Sequence, residues 1–219
     1  MSIRAVLFDL DGTLTDPKPG ITQCIAHALR GLGRTPPKLD ELTWCIGPPL
    51  RANFARLLET RDDALLDRAI ALYRERFGTV GLFENAVYPG VPEAVAAVRD
   101  AGFATYVATS KPHVYATQIL RHFGLMPLFR ALYGAELDGT RVDKGEVIGH
   151  ALACEGLDPA RVVMIGDREH DMIGARRCGV RAIAVTYGYG TEAELRAHAP
   201  AAFADTPAAI PSLVSTLLA

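Results

Sequence analysis

Apolar and polar positions follow two rhythms along the chain. The run Ala5-Val6-Leu7-Phe8 has no polar face and breaks at Asp9-Leu10-Asp11-Gly12. A short continuous apolar run before a glycine reads as a strand buried on both faces of a parallel sheet. After Pro17 the spacing changes to three and four residues. Ile21, Cys24, Ile25, Ala28, Leu29 and Leu32 form one stripe, which predicts a helix over 20–32. A short helical piece ends at Trp44, the rigid loop Cys45-Ile46-Gly47-Pro48-Pro49 follows, and helical spacing resumes over 50–58 and 64–77. No strand is expected between 17 and 85.

From Tyr88-Pro89-Gly90-Val91 onwards the two rhythms alternate. Helices are predicted over 92–100, 112–123, 144–155, 171–178 and 208–217. Strands are predicted over 104–109, 131–133, 162–165 and 182–185, with a weak one near Phe203. Strands alternating with helices imply right-handed crossovers and a mainly parallel α/β sheet. The all-helical block 17–85 therefore interrupts an α/β domain directly after its first strand, leaving a core of 1–16 and 86–219. It leaves the chain close to Asp9 and Asp11, so it is expected to cover them.

Composition narrows the classes. About half the residues are hydrophobic (49%) and 22% are charged, which is ordinary globular usage. A net charge of −2 gives no reason to expect nucleic-acid or membrane binding. No apolar run approaches the ~18 residues of a membrane span, and the chain runs at once into its first strand, so no leader is expected. Cys24, Cys45, Cys154 and Cys178 form no C-x-x-C pair and are expected to be single packed thiols in a reducing, cytoplasmic setting. A monomer or weak dimer is expected.

The candidate chemistry starts at Asp9 and Asp11. In open α/β sheets ligands bind outside the carboxyl ends of the strands. Two carboxylates two residues apart there repel, so a cation or a shared proton must resolve them. The competing reading is that Asp11-Gly12 is simply a turn. Thr109-Ser110 ends a predicted strand before a helix, where a hydroxyl either binds a phosphate oxygen or caps the helix. Lys144 opens a helix at the unfavourable end of its dipole, which suggests a nearby anion, although a surface lysine is the plain alternative. Asp167 follows another apolar strand, and Asp171 lies one turn into the next helix, where capping alone is the competing account. His170 reads as a solvated helix residue.

The stretch Asp9-Leu10-Asp11-Gly12-Thr13-Leu14-Thr15-Asp16 resembles the first motif of the haloacid dehalogenase superfamily. Thr109 resembles its second motif, Lys144 its third and Gly166-Asp167-Arg168-Glu169-His170-Asp171 its fourth, so the resemblance spans the chain. It implies a Rossmann-like doubly wound core with an inserted C1-type helical cap. It implies Asp9 as nucleophile and metal ligand, Asp11 as general acid–base that lends its backbone carbonyl to the metal, and Thr109 and Lys144 as phosphate ligands. Asp167 is implied as a metal ligand, and Asp171 as a partner of metal-bound water or Lys144. Ser110 stands where relatives often have Asn and could share the phosphate. An Asp two residues after the nucleophile marks phosphatases and phosphomutases rather than dehalogenases.

Charge agrees with that grouping. Asp9, Asp167 and Asp171 carry −3 when ionised, and one like-charged pair ~4 Å apart costs about 4 kcal/mol at an effective dielectric near 20. Mg²⁺ with Lys144 supplies +3, and an all-oxygen set suits Mg²⁺ better than Zn²⁺. The loop at Gly47 with Arg51, together with Ser110-Lys111-Pro112, most resembles phosphoglycolate phosphatase-type enzymes. The expected activity is therefore Mg²⁺-dependent hydrolysis of a small-molecule phosphate ester, with Gly47 and Arg51 testing the leaving group, although an exposed helix residue is the plain alternative for Arg51. The alternatives are a 5′-nucleotide substrate, a phosphomutase on the same core, and a non-catalytic phosphate-binding scaffold.

Overall fold

The structure is a computed structural model that describes residues 3–219. In chain order its elements are β1 (Ala5–Phe8), β2 (Thr15–Asp16), α1 (Lys18–Gly31), α2 (Leu50–Leu57), α3 (Asp63–Arg76), β3 (Ala86–Val87), α4 (Val91–Asp100), β4 (Ala104–Pro112), α5 (His113–His122), β5 (Ala131–Ala135), α6 (Lys144–Glu155), β6 (Val162–Gly166), α7 (Glu169–Arg177), β7 (Arg181–Val185), α8 (Glu192–Ala197), β8 (Ala202–Ala204) and α9 (Ile210–Leu217). They fall into two compact units: 1–16 with 87–219, and 17–86.

The first unit is built on a six-stranded sheet in the order β5-β4-β1-β6-β7-β8. Its recorded pairings are all parallel. All four residues of β1 and all five of β6 are buried, as their unbroken apolar runs require. Ala5, Leu7, Tyr106, Met164 and Ala184 from the sheet pack with Val147, Ile148 and Met172 from α6 and α7. The chain winds outward from β1 to β4 and β5, then returns to the other side of β1 at β6. The order reverses between β1 and β6, and the crevice at such a reversal is where doubly wound sheets bind ligands.

The second unit is helical. Ile21, Cys24, Ile25, Ala28 and Leu29 on α1 are buried, as are Leu66, Ala69 and Tyr73 on α3 and Phe54 on α2. Phe54 meets Tyr73 edge-on, and Tyr73 stacks on Phe77 with ring centroids 5.1 Å apart. Asp62 caps α3 by accepting from Ala64 N–H at 3.0 Å. The loop before α2 is held from inside by buried Asn53, whose Nδ2 donates to Cys45 O at 2.8 Å.

Several boundaries differ from the sequence pattern. β4 runs on to Pro112, three residues past the predicted end, and its register against β5 shifts between Thr109 and Pro112. α7 begins at Glu169 rather than 171, so Asp171 sits within its first turn. α8 was not anticipated, although Thr191-Glu192-Ala193-Glu194 carries a capping pattern. Cys24 and Cys45 are buried, but Cys154 is exposed on α6 instead of packed. Among the described residues no helix is long and apolar enough to cross a membrane.

Candidate active site

The strand β1 ends at Phe8, so Asp9 and Asp11 stand just beyond it rather than in regular extended geometry. Asp9 N–H donates to Ile165 O at 2.9 Å, which carries the β1–β6 ladder one residue past the strand. Beyond it Leu10 O receives the N–H groups of Leu14 at 2.9 Å and Thr15 at 3.0 Å, closing a tight turn. Gly12 lies in that turn at φ +83°, where a side chain would be strained and would strike the Asp167 carboxylate. Asp11-Gly12 is thus a turn, and the two carboxyl groups beside it are buried.

Two lysines meet these carboxylates. Lys144, the first residue of α6, is buried. Its Nζ lies 2.7 Å from Asp9 Oδ1 and 2.8 Å from Asp171 Oδ1, and it donates to Ala108 O at 3.1 Å. Burial alone would lower its pKa, but Asp171 and Asp9 overcome that and raise it. The surface-lysine alternative is excluded. The second is Lys111, whose Nζ is 2.6 Å from Asp11 Oδ2. Ser110-Lys111-Pro112 carries a family resemblance, but the sequence pattern does not pair Lys111 with Asp11. That pairing follows from the register shift that ends the strand, which only the folded chain displays.

Asp167 follows the last residue of β6 and is fully buried. Its Oδ2 accepts from Tyr189 N–H at 2.7 Å, and its Oδ1 from the Thr13 hydroxyl at 3.4 Å. Asp171 Oδ2 accepts from Arg168 N–H at 3.1 Å, closing the first turn of α7. Asp171 is therefore both a cap and a partner of Lys144. Thr109 is buried, and its hydroxyl accepts from Lys111 N–H at 3.2 Å. It does not cap α5, which starts at His113 after Pro112. Ser110 beside it is half-buried. His170 is half-buried, and burial lowers its pKa.

Oxygen atoms of Asp9, Asp167 and Asp171 all lie within 4.8 Å of one another. Burial pushes Asp167 well above the usual carboxylate range, with Asp171 and Asp9 adding to the shift. Burial also pushes Asp171 up to about 6, against Lys144. It raises Asp11 as well, against Lys111. Asp9 Oδ1, Asp11 Oδ1 and Asp171 Oδ1 are buried and accept no hydrogen bond of good geometry. Four carboxylates face only two ammonium groups here. This excess of buried negative charge, with oxygen as the only donor type, fits a hard divalent cation.

Gly47 and Arg51 belong to the helical unit. Gly47 is half-buried at φ +102°. Arg51 is exposed, and its guanidinium is engaged within the helical unit. It pairs with Asp63 at 2.8 Å and with Asp67, one turn apart on α3. Two carboxylates four residues apart on one helix match the fork of a single guanidinium.

The loop after β7, Tyr187-Gly188-Tyr189-Gly190, escaped the sequence reading although its alternation of tyrosine and glycine is conspicuous. A Cβ at Gly188 or Gly190 would collide with Asp167, so the backbone there lies against that residue.

Residues 6–185 match the family model of the haloacid dehalogenase-like hydrolases. A 5′-nucleotidase of Pseudomonas aeruginosa is 51% identical over 195 residues, covering 89% of this chain and 88% of the relative. The tyrosine-protein kinase PtkA of Mycobacterium tuberculosis is 40% identical over 189 residues, covering 86% of this chain but 64% of that protein. A crystal structure described as a predicted phosphatase from Clostridium acetobutylicum matches with a TM-score of 0.92 and 37% identity, covering 100% of this chain and 99% of the other. With four ordered carboxylates and two lysines at the reversal of the sheet, and a family match over most of its length, the chain belongs to the haloacid dehalogenase-like hydrolases, as a phosphatase of that family.

Proposed function

We propose that the protein hydrolyses small-molecule phosphate monoesters through a covalent intermediate on Asp9, with Mg²⁺ as cofactor. The observation that carries this reading is Asp11, a buried carboxyl whose pKa is raised two residues from a buried carboxylate. Burial favours the protonated form of this carboxyl, and a protonated carboxyl can give a proton to an alkoxide leaving group. Asp9 attacks phosphorus, the ester P–O bond breaks, and the proton of Asp11 passes to the departing oxygen. Asp11, now a carboxylate, takes a proton from water as that water attacks phosphorus. The bond from phosphorus to Asp9 then breaks, which frees phosphate and restores both groups.

The Thr109 hydroxyl and the Lys144 ammonium bind the transferring phosphoryl oxygens, with Ser110 beside them. Lys144 also pairs with Asp9. Asp9, Asp167 and the Asp11 backbone carbonyl would hold Mg²⁺, with Asp171 orienting Lys144. The metal supplies charge neutralisation for the phosphoryl group. In this reading the helical unit is a cap, and its Gly47 loop screens the leaving group. Arg51 takes part only by releasing Asp63 and Asp67. The enzyme acts alone or as a weak dimer in the cytoplasm.

For the substrate, the 51% identity to a 5′-nucleotidase over nearly the whole chain favours a 5′-mononucleotide over phosphoglycolate. The test is a hydrolysis panel of 5′-mononucleotides, phosphoglycolate and sugar phosphates, with Mg²⁺ and with chelator. The expected outcome is Mg²⁺-dependent phosphate release, fastest on a 5′-mononucleotide. Phosphoryl transfer to a sugar hydroxyl without free phosphate would favour a mutase. No turnover on any ester, with the metal bound, would favour a scaffold.

A further inference from the structure

Tyr189 makes two contacts that the reaction scheme leaves unused. Its backbone N–H donates to Asp167 Oδ2 at 2.7 Å, and its hydroxyl donates to Asp16 Oδ1. The loop cannot slide along Asp167, because Gly188 and Gly190 bring the backbone against that residue on either side of Tyr189. Tyr187 secures the same loop. Its hydroxyl donates to Thr13 O at 3.0 Å, and the Thr13 hydroxyl donates to Asp167 Oδ1 at 3.4 Å. The Tyr88 ring packs edge-on against Tyr187 at 5.1 Å, and the Tyr88 hydroxyl hydrogen-bonds Tyr189. Both oxygens of Asp167 are thus held by a loop that is itself anchored at Asp16, Thr13 and Tyr88.

We infer that Tyr189 is a positioning residue for the metal site: its hydroxyl, anchored on Asp16, fixes the backbone N–H that orients Asp167. The inference rests on the reading that Asp9 and Asp167 hold a divalent cation. A carboxylate ligand holds its geometry when its remaining lone pairs are satisfied by fixed donors, and removing such an outer partner typically costs metal affinity about 10–100-fold. Burial and Asp16 raise the pKa of Tyr189, so its hydroxyl remains a donor at neutral pH. The Tyr189 side chain acts through the loop, since its hydroxyl is bound to Asp16 and only its backbone reaches Asp167.

The test is Mg²⁺ binding measured by calorimetry on the full chain without substrate. Tyr189→Phe keeps the ring and the backbone N–H but loses the anchor, and its Kd should rise about tenfold. Asp16→Ala should match it. Asp16→Asn should stay close to the unsubstituted protein, since an amide oxygen still accepts from the hydroxyl. Tyr133→Phe is the matched control. It deletes another tyrosine hydroxyl that donates to a carboxylate, Glu155, in the same unit but away from the carboxylate cluster. It should lower Tm without changing Kd. A Kd for Tyr189→Phe within twofold of the unsubstituted protein overturns the inference, as does an equal rise in Tyr133→Phe. Asp167→Asn reports on the reading beneath it. If the unsubstituted protein binds no Mg²⁺, or Asp167→Asn binds it as tightly, the metal site itself is refuted and the inference falls with it.

Discussion

Lys111 Nζ lies 2.6 Å from Asp11 Oδ2, with the two side chains only 5% and 12% exposed. The ammonium opposes the upward push of burial on the Asp11 carboxyl. The acid of the proposed reaction is thereby set between two influences, one from the sheet interior and one from the end of β4.

Removing Lys111 leaves burial unopposed. In Lys111→Met the Asp11 pKa rises further, so the acid stays protonated to higher pH. The alkaline limb of kcat/KM for an alkyl phosphate should move up by about one pH unit, the lower end of what a close opposite charge contributes. For p-nitrophenyl phosphate, whose leaving group needs no proton, the limb should stay put. An unmoved limb on both esters would mean that Lys111 does not set the acid.

Asp9→Asn and Asp11→Asn separate nucleophile from acid. Asp9→Asn should lose turnover by at least about 10⁴-fold, a loss typical of a deleted nucleophile, with an unchanged circular dichroism spectrum. Asp11→Asn should slow alkyl phosphates by about 10²–10⁴-fold and p-nitrophenyl phosphate far less. Equal losses on the two esters would falsify the acid assignment.

The carboxylate cluster predicts how stability varies with pH when metal is absent. Asp171 is raised to about 6 and Asp167 and Asp11 are raised as well, so between about pH 4 and 6 the folded chain binds more protons than the unfolded chain. Stability then falls as pH rises through that window. Asp40 and Asp138 have lowered pKa values but are exposed and titrate below it, while the lowered pKa values of Glu194 and His170 oppose the trend, two groups against three raised carboxyls. Tm of chelator-treated protein should therefore drop from pH 4.5 to pH 7. Added Mg²⁺ should restore more at pH 7 than at pH 5, because it must displace protons at the lower pH. A metal-free Tm that climbs across this range would contradict the charge arrangement.

Arg51→Ala tests the reassigned guanidinium. Its pairs with Asp63 and Asp67 are exposed, and such pairs are worth about 0.2–1 kcal/mol. Tm should fall by only a few degrees. kcat/KM should change by the same factor on phosphoglycolate and on p-nitrophenyl phosphate. A loss confined to the anionic ester would show that Arg51 leaves α3 to meet substrate.

Much of the site was legible before folding because its chemistry is local in sequence. Asp9, Asp11, Thr109, Lys144 and Asp167 each follow an apolar strand or open a helix, and those elements have clear periods. The helical block was equally plain, since Cys24, Ile25, Ala28 and Leu29 repeat at helix spacing and are buried. The pairing of Lys111 with Asp11 and the contacts of Tyr189 were not legible. They depend on how β4 ends beside β1 and on how the loop after β7 lies against Asp167. Neither relationship leaves a period or a short-range motif.

The sequence by itself determined the α/β alternation, the position of the helical insertion and the residues proposed to transfer a phosphoryl group. Local propensity and apolar periodicity act within one element and can be read along the chain. Tertiary structure alone decided which lysine meets which carboxylate: Lys144 takes Asp9 and Asp171, Lys111 takes Asp11, and Arg51 is spent on Asp63 and Asp67. A long cationic side chain can reach several anions. The one it takes depends on which strand ends are neighbours in the sheet and on how deeply each group is buried, and both are properties of the folded chain.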